Sequence, residues 1–438
     1  MPQGPGPAVF KILPTSQQYD WGKVGKSSKV AQFAAASQIP GFTIDEESPY
    51  AELWMGTHPK SPSLVRSSNA PLSVHIAKQT ELIGTQVLEK FSSDGADKGN
   101  LPFLFKVLSI KKALSIQTHP DKKTAEILHA QQPDIYKDPN HKPEMALAIT
   151  PFRALCGFRP LPEIAKHLSN TPELAALIPP LIAETFLSLA DSSTPTGPEE
   201  KAALKNVFAA LMTAEEAAVK ASLQALVARY MARETNPGEG EDLAKLVLTL
   251  DVQFPGDVGI LCAFMLNYVH LSPGEAIFLG AGEPHAYISG DCIECMANSD
   301  NVIRAGLTPK LRDVPNLVSG LTYAASDPSK HFVDPQPFRS PASEASTLYD
   351  PPIPEFSVVQ GKLGGEGKTL TEKHPPLGGP SIVIVTEGNA VVRWGEEAQS
   401  LNVGLGDVFF VGAATGVEFV NESADEQLVF YRAFVETE

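Results

Sequence analysis

The sequence predicts a mainly β protein with a helical insertion, organised as two jelly-roll barrels plus an all-α domain. Three observations predict it. Residues 1–152 mix short apolar runs with turn residues, as in "VFKIL", "YAELWMGTHP" and "LPFLFKVLSI", which read as strands with a few helices. From Arg153 the texture changes to a long stretch of helical period. From Val269 the chain returns to glycine-punctuated strands and carries an internal repeat.

Taken in order, residues 1–152 and 261–335 form the two parts of the first barrel domain, with a helical domain at 153–260 between them. Residues 336–438 form the second barrel. In the helical block, Leu204, Val207, Phe208 and Leu211 fall at i, i+3, i+4 and i+7, and Val219, Leu223, Leu226, Val227 and Tyr230 continue the pattern. Thr213 and Glu216 have the spacing of a capping box between those helices. The breaks "DSSTPTGPEE" and "ETNPGEGE" are Pro/Gly/acid turns. The repeat aligns "PGEAIFLGAGEPHAY" with "LGDVFFVGAATGVEF": His285 sits eleven residues after Gly274, and Val417 eleven after Gly406. Turn, short apolar strand, Gly-rich turn and strand is the pattern of jelly-roll barrels of the cupin kind. A metal-binding barrel mouth needs the histidine that the second copy lacks, so the second barrel is expected to hold no metal.

Composition narrows the function. With 438 residues, 43% of them hydrophobic and 20% charged, the chain can bury more than one core. A net charge of −16 argues against nucleic acid and anionic membrane as partners, since both require a basic face. No apolar run approaches the ~18 residues of a membrane span. The start "MPQGPGPAVF" lacks the basic and apolar regions of a secretory signal. Four cysteines without framework spacing suit reduced thiols in the cytoplasm. Cys292 and Cys295 form a CxxC, but no second pair completes a zinc site, so packing is the plainer reading. Within this acidic chain, residues 101–160 hold nine Lys/Arg against five Asp/Glu, a local +4, as a small anionic ligand would require.

The segment "SIQTHPDKK" (115–123) puts Gln117 and His119 two apart in an extended stretch, on one face. Glu144 in "YKDPNHKPEMA" and His285 in "GEPHAY" have ligand chemistry in strand or loop contexts of the same barrel. Two imidazoles, a carboxylate and an amide oxygen around Zn²⁺ would leave a charge of about +1 and room for a further oxygen. Singly, each residue has an ordinary reading: Gln117 as a surface amide, Glu144 as a solvated carboxylate, His119 and His285 as hydrogen-bonded core histidines.

The strings "YKDPNHKPE" (136–144) and "HAYISGDCIECMANSDNVIRAGLTPK" (285–310), with "YDWGK" near the N-terminus and "LFKVL…SIQTHPDK", resemble type I phosphomannose isomerase of the longer, eukaryotic type. The resemblance runs from about Phe10 to beyond Tyr323, and covers the C-terminal barrel only through domain order and the degenerate repeat. It implies one Zn²⁺ per chain on Gln117, His119, Glu144 and His285, in a catalytic first barrel. The implied reaction interconverts mannose 6-phosphate and fructose 6-phosphate through a cis-enediol and feeds GDP-mannose synthesis. It implies a small-molecule sugar phosphate as the partner and a monomer as the working form.

The resemblance also implies roles for individual residues. Glu294 is favoured as the proton carrier, with Lys142 and His141 as competitors that could instead assist ring opening. Glu294 could also serve as an ion-pair partner orienting Arg304 or a lysine. For the phosphate, Arg304 and Lys310 supply the charges and Ser109 a hydroxyl, with Lys106 and Tyr287 in the same pocket. Arg304 could equally sit over the enediolate. Asp300 is expected to buttress one of these cations. His58 and His129 lack partner spacing and read as structural or exposed, and Trp21 and Trp54 as packing that could touch sugar. A non-catalytic sugar-binding cupin is the different-class alternative, but such a barrel needs neither base nor phosphate clamp. A preference for glucose 6-phosphate is the alternative within the same chemistry.

Overall fold

The computed structural model describes residues 8–339, 345–365, 369–396 and 399–437. Its spine is the strand His285–Ala297. Gly290 to Ala297 pairs antiparallel with Phe103–Ile110 on one side, and Cys292 to Met296 with Glu144–Ala148 on the other. Its first residues pair with Phe152–Phe158 and, at His285, with Gln117 of the strand Ile116–Thr118. Every residue of Phe103–Ile110 is buried, so the strand is covered on both faces and shows no alternation of apolar and polar positions. The spine changes partners at Gly290, whose φ of +118° few other residues adopt. A Cβ there would lie 2.6 Å from the Pro151 carbonyl oxygen.

The helical run begins at Leu161 and ends at Gln253. It starts later than the expected boundary at 153 because Phe152–Phe158 is a strand, and Leu266–Leu271 returns to pair with it. The insertion is therefore an excursion between two neighbouring rungs of one sheet, which fixes both its ends. Leu204, Val207, Phe208 and Leu211 of Pro198–Met212 are buried, as are Val219, Leu223, Leu226 and Tyr230 of Glu216–Met231. Phe208 meets Phe158 of the barrel edge-on at 5.5 Å between centroids and Tyr323 at 6.3 Å. The capping box does not form. Thr213 closes the preceding helix, its hydroxyl donating to the Ala209 carbonyl at 2.8 Å, and the next helix begins behind Glu215 without a side-chain cap.

In the second barrel, the repeat appears as the strands Val408–Val411 and Val417–Val420, matching Ala276–Leu279 and His285–Ala297 in the first. The turn glycines Gly406 and Gly274 both have positive φ, +81° and +95°. The strand Val9–Leu13, expected within the first barrel, is instead hydrogen-bonded to Val408–Val411, with Phe10 opposite Phe410 and Ile12 opposite Val408. Its apolar side chains find matching partners there, and the Phe10 and Phe410 rings stack at 5.2 Å. No helix among the described residues is long and apolar enough to cross a membrane. Because Phe208 joins the insertion to the barrel, Phe208→Ala should cost about 3–5 kcal/mol. A urea midpoint equal to that of the parent protein would show that the two units do not share this core.

Candidate metal centre and adjoining pocket

His119, Glu144 and His285 converge, with their ligand atoms all within 4.8 Å of one another. His285 Nε2 lies 2.9 Å from Glu144 Oε1, and His119 Nε2 lies 3.4 Å from Oε2. Each imidazole is held from behind by a backbone carbonyl: His119 Nδ1 by Asn301 O at 2.7 Å, and His285 Nδ1 by Glu283 O at 2.9 Å. A carbonyl only accepts, so Nδ1 carries the proton and Nε2 turns a lone pair inward. Both Nε2 atoms are buried without a hydrogen-bond partner among the described residues, and an orphaned buried polar atom costs ~1–3 kcal/mol. A divalent cation satisfies both at once. Burial pushes the His119 imidazole down to about 4, so it is neutral and able to ligate near pH 7. Burial also works against the Glu144 carboxylate, but the charge that the two imidazoles take up when protonated, together with Lys142 Nζ 3.8 Å away, holds its pKa well below the usual carboxylate range.

Gln117 lies directly opposite His285 on one side and Arg304 on the other, so an amide is available at the edge of the trio. The donors present suit Zn²⁺, which takes nitrogen and oxygen ligands of these types. Tyr287 Oη donates to Glu144 Oε1 at 3.3 Å.

Beside the trio, and on the same face of the sheet, stand Glu294 and its cross-strand neighbour Lys106. Lys106 Nζ is 2.9 Å from Glu294 Oε2 and 3.4 Å from Glu52 Oε2, and sits 5.2 Å from the centre of the Trp54 ring. Trp54 Nε1 donates to Glu52. Burial opposes the Lys106 charge, yet the Glu294 and Glu52 carboxylates outweigh it and raise its pKa. Burial raises the Glu294 carboxyl above its ordinary value against the pull of Lys106, with Glu144 and Glu52 adding to the rise.

A cavity of 330 Å³ adjoins this cluster and brings Gln117, Arg304 and Lys310 together, with Glu52, Tyr19 and Trp21 on its wall. Arg304 is half-buried and Lys310 exposed. Glu52 and Tyr19 escaped the sequence reading. A signal for Glu52 existed, since it is an acid followed by Leu53, Trp54 and Met55 in a strand buried throughout.

The remaining expected residues have these partners. Ser109 is fully buried, donates to Asp291 Oδ1 at 2.7 Å and accepts from Val30 N–H, so it is not a phosphate donor. It stands three residues from Lys106 on one strand, which puts it on the opposite face. Asp300 buttresses none of Arg304, Lys310 and Lys106; it pairs with Lys60 at 2.8 Å and lies 3.7 Å from His58 Nε2. His58 is buried, with its ring edge-on to Trp54. His129 bonds to the Tyr136 carbonyl. His141 Nε2 lies 2.5 Å from Glu355 Oε1. Cys292 and Cys295 are free and buried, and burial raises both thiols, as packing residues would show.

Comparison with known proteins matches residues 9–161 to the phosphomannose isomerase type I catalytic domain, 178–266 to its helical insertion domain and 346–396 to its C-terminal domain. The mannose-6-phosphate isomerase of Cryptococcus neoformans is 49% identical, over 98% of this chain and 99% of that one. The Saccharomyces cerevisiae mannose-6-phosphate isomerase is 44% identical with the same coverages. Among solved structures, a zinc-bound mannose 6-phosphate isomerase has a TM-score of 0.78 at 29% identity, covering 98% of this chain and 100% of its own. A mutant phosphomannose isomerase from Salmonella typhimurium also has a TM-score of 0.78, at 30% identity with those coverages. With its site geometry, these matches along nearly its whole length place the chain in the type I phosphomannose isomerase family.

Proposed function

We propose that the chain is a zinc-dependent isomerase that interconverts mannose 6-phosphate and fructose 6-phosphate through a cis-enediol. The observation that carries this reading is the pair of inward imidazole lone pairs around an ionised carboxylate, next to a cavity that holds a guanidinium and an ammonium. Gln117, His119, Glu144 and His285 hold the zinc, which supplies Lewis acidity toward the sugar's oxygens. Arg304 and Lys310 bind the phosphate, the guanidinium through a two-pronged contact and the ammonium as a point charge.

Glu294 takes the proton from C2 of the aldose and returns it at C1. Burial moves its pKa up toward the range where a base works well, while Lys106 keeps it charged. Lys142 and His141 serve ring opening, which needs an acid and a base because the sugar arrives mostly as a pyranose. Tyr287 steadies Glu144 through its hydroxyl and would border the substrate there. The chain acts as a monomer in the cytoplasm, where free thiols persist, and feeds GDP-mannose synthesis.

Chelation with EDTA should abolish formation of fructose 6-phosphate in a coupled assay, and added Zn²⁺ should restore it; full activity in the chelated protein would end the zinc reading. His285→Ala should lose zinc and turnover together, and elemental analysis finding one zinc per chain in that variant would contradict the ligand set. Glu294→Gln should keep its zinc and lose about 10²–10⁴-fold in kcat; unchanged solvent-tritium exchange at C2 would remove Glu294 from the proton-carrying role. Arg304→Ala should cost roughly 1.5–3 kcal/mol in kcat/KM, and a penalty just as large on a substrate without phosphate would assign the guanidinium to the enediolate instead.

A further inference from the structure

We infer that Glu355 is a positioning residue for the isomerisation: it enters from the loop between the paired strands Ser346–Tyr349 and Ser357–Leu363 of the second barrel and fixes the tautomer and orientation of His141. This rests on the reading above, in which His141 moves a proton during ring opening. Glu355 is 8% exposed, and its Oε1 lies 2.5 Å from His141 Nε2, across 214 positions of sequence. Its second oxygen, Oε2, is buried without a hydrogen-bond partner among the described residues. A carboxylate so placed has been taken out of water for a single neutral or cationic partner.

The backbone delivers it stiffly. Pro351, Pro352 and Pro354 precede it, and each fixes its own φ. Tyr349 Oη donates to the Gly274 carbonyl at 2.6 Å ahead of this stretch, and Phe356, 1% exposed, is locked in the core just after it. Ser357 Oγ donates to Asp350 Oδ1 at 2.6 Å and ties the two ends of the loop together.

The partner side is equally fixed. His141 N–H donates to Asn140 Oδ1, and the Asn140 carbonyl accepts from Ser299 Oγ and Asn301 Nδ2. Asn301 is also the residue whose carbonyl holds the metal-facing His119. His141 therefore belongs to the framework that orients the ligand trio. The charged groups around this segment are Lys142, Asp138, whose carboxylate accepts from Asn140 N–H, and Lys122, which reaches Asn140 Oδ1 from the helix Lys122–Gln131.

The chemistry follows from donor rules. An ionised carboxylate only accepts, so Nε2 of His141 carries a proton and Nδ1 is the atom left to give or take one. Without the carboxylate the ring can rotate and switch tautomer, and the proton-exchanging nitrogen is no longer defined. A loop staple with no part in the reaction would make the same contact, so the test must separate the two.

The test uses the zinc-loaded full chain. Glu355→Gln should lower kcat about 10- to 100-fold, the range usual for loss of an orienting partner, with KM and zinc content unchanged. Glu355→Asp should recover part of the loss. In a His141→Ala background, Glu355→Gln should change kcat less than about twofold, because coupled residues are not additive. The ¹⁵N-edited signal of the His141 Nε2 proton, shifted downfield by the carboxylate, should move upfield in Glu355→Gln.

A kcat for Glu355→Gln within about twofold of the parent, or an equal fold-loss with and without His141, would overturn the inference. Failure of both Glu355→Gln and Glu355→Asp to fold would overturn it too, since the carboxylate would then serve the fold. A parent holoenzyme that does not isomerise sinks the functional reading itself, whereas an active parent with an indifferent Glu355→Gln sinks only this inference.

Discussion

Two imidazole lone pairs and a carboxylate share a buried space, and this local imbalance organises the rest of the molecule. His119, Glu144 and His285 are each 1% exposed. Desolvation penalises the charge on Glu144, and the inward nitrogens have no donor to meet. Such an arrangement persists only if the scaffold over-determines it. Here it does so twice: Glu144 and His285 sit on strands of one sheet, and Glu283 and Asn301 fix the rings from behind through backbone carbonyls. Backbone partners cannot be lost to side-chain rotation, so ring orientation survives thermal motion that would blur a side-chain clamp.

A second buried charge cluster lies beside the first. Lys106 is 6% exposed, with carboxylates at 2.9 and 3.4 Å and an indole below it. Removing one partner from such a cluster leaves the others unpaired in a poor solvent, which costs more than the pair contributes when intact. Lys106, Glu294 and Glu52 therefore function as one unit. Keeping three ionisable groups dry at the pocket edge is a poor way to gain stability and a good way to hold a carboxylate's pKa above its usual range.

The sequence made legible those parts of the site whose chemistry depends on residue type. Metal ligation needs particular donors, so Gln117-x-His119, Glu144 and His285 stood out, and the repeat placed His285 at a barrel mouth. What depends on parity or on tertiary choice stayed hidden. In "FLFKVLSI" both faces of the strand are buried, so no alternation reveals which of Lys106 and Ser109, three apart and on opposite faces, turns toward the metal centre. Asp300 had several cations within plausible reach, and only the fold selects Lys60. The pairing of Val9–Leu13 with the second barrel could not be read either, because "VFKIL" suits any sheet edge with an apolar neighbour. Thr213 and Glu216 had the right spacing for a cap, but the helix start fell two residues too late to use it.

The second barrel shows what the same strand pattern does with a different residue at the histidine's position. Val417 stands where the first copy has His285, and its cross-strand neighbour is His374. That histidine is buried, and its Nδ1 accepts from the Arg432 guanidinium at 3.1 Å, while Arg432 Nε donates to Ser381 Oγ. Burial lowers Arg432 to about 9, and no carboxylate among the described residues pairs with it. An imidazole lone pair thus faces a cation inside this barrel as well, but the cation is carried by a side chain. At that position the guanidinium keeps the interior polar through hydrogen bonds to an imidazole and a hydroxyl. Its contribution to the site then comes through the loop before Phe356, which carries Glu355 to His141.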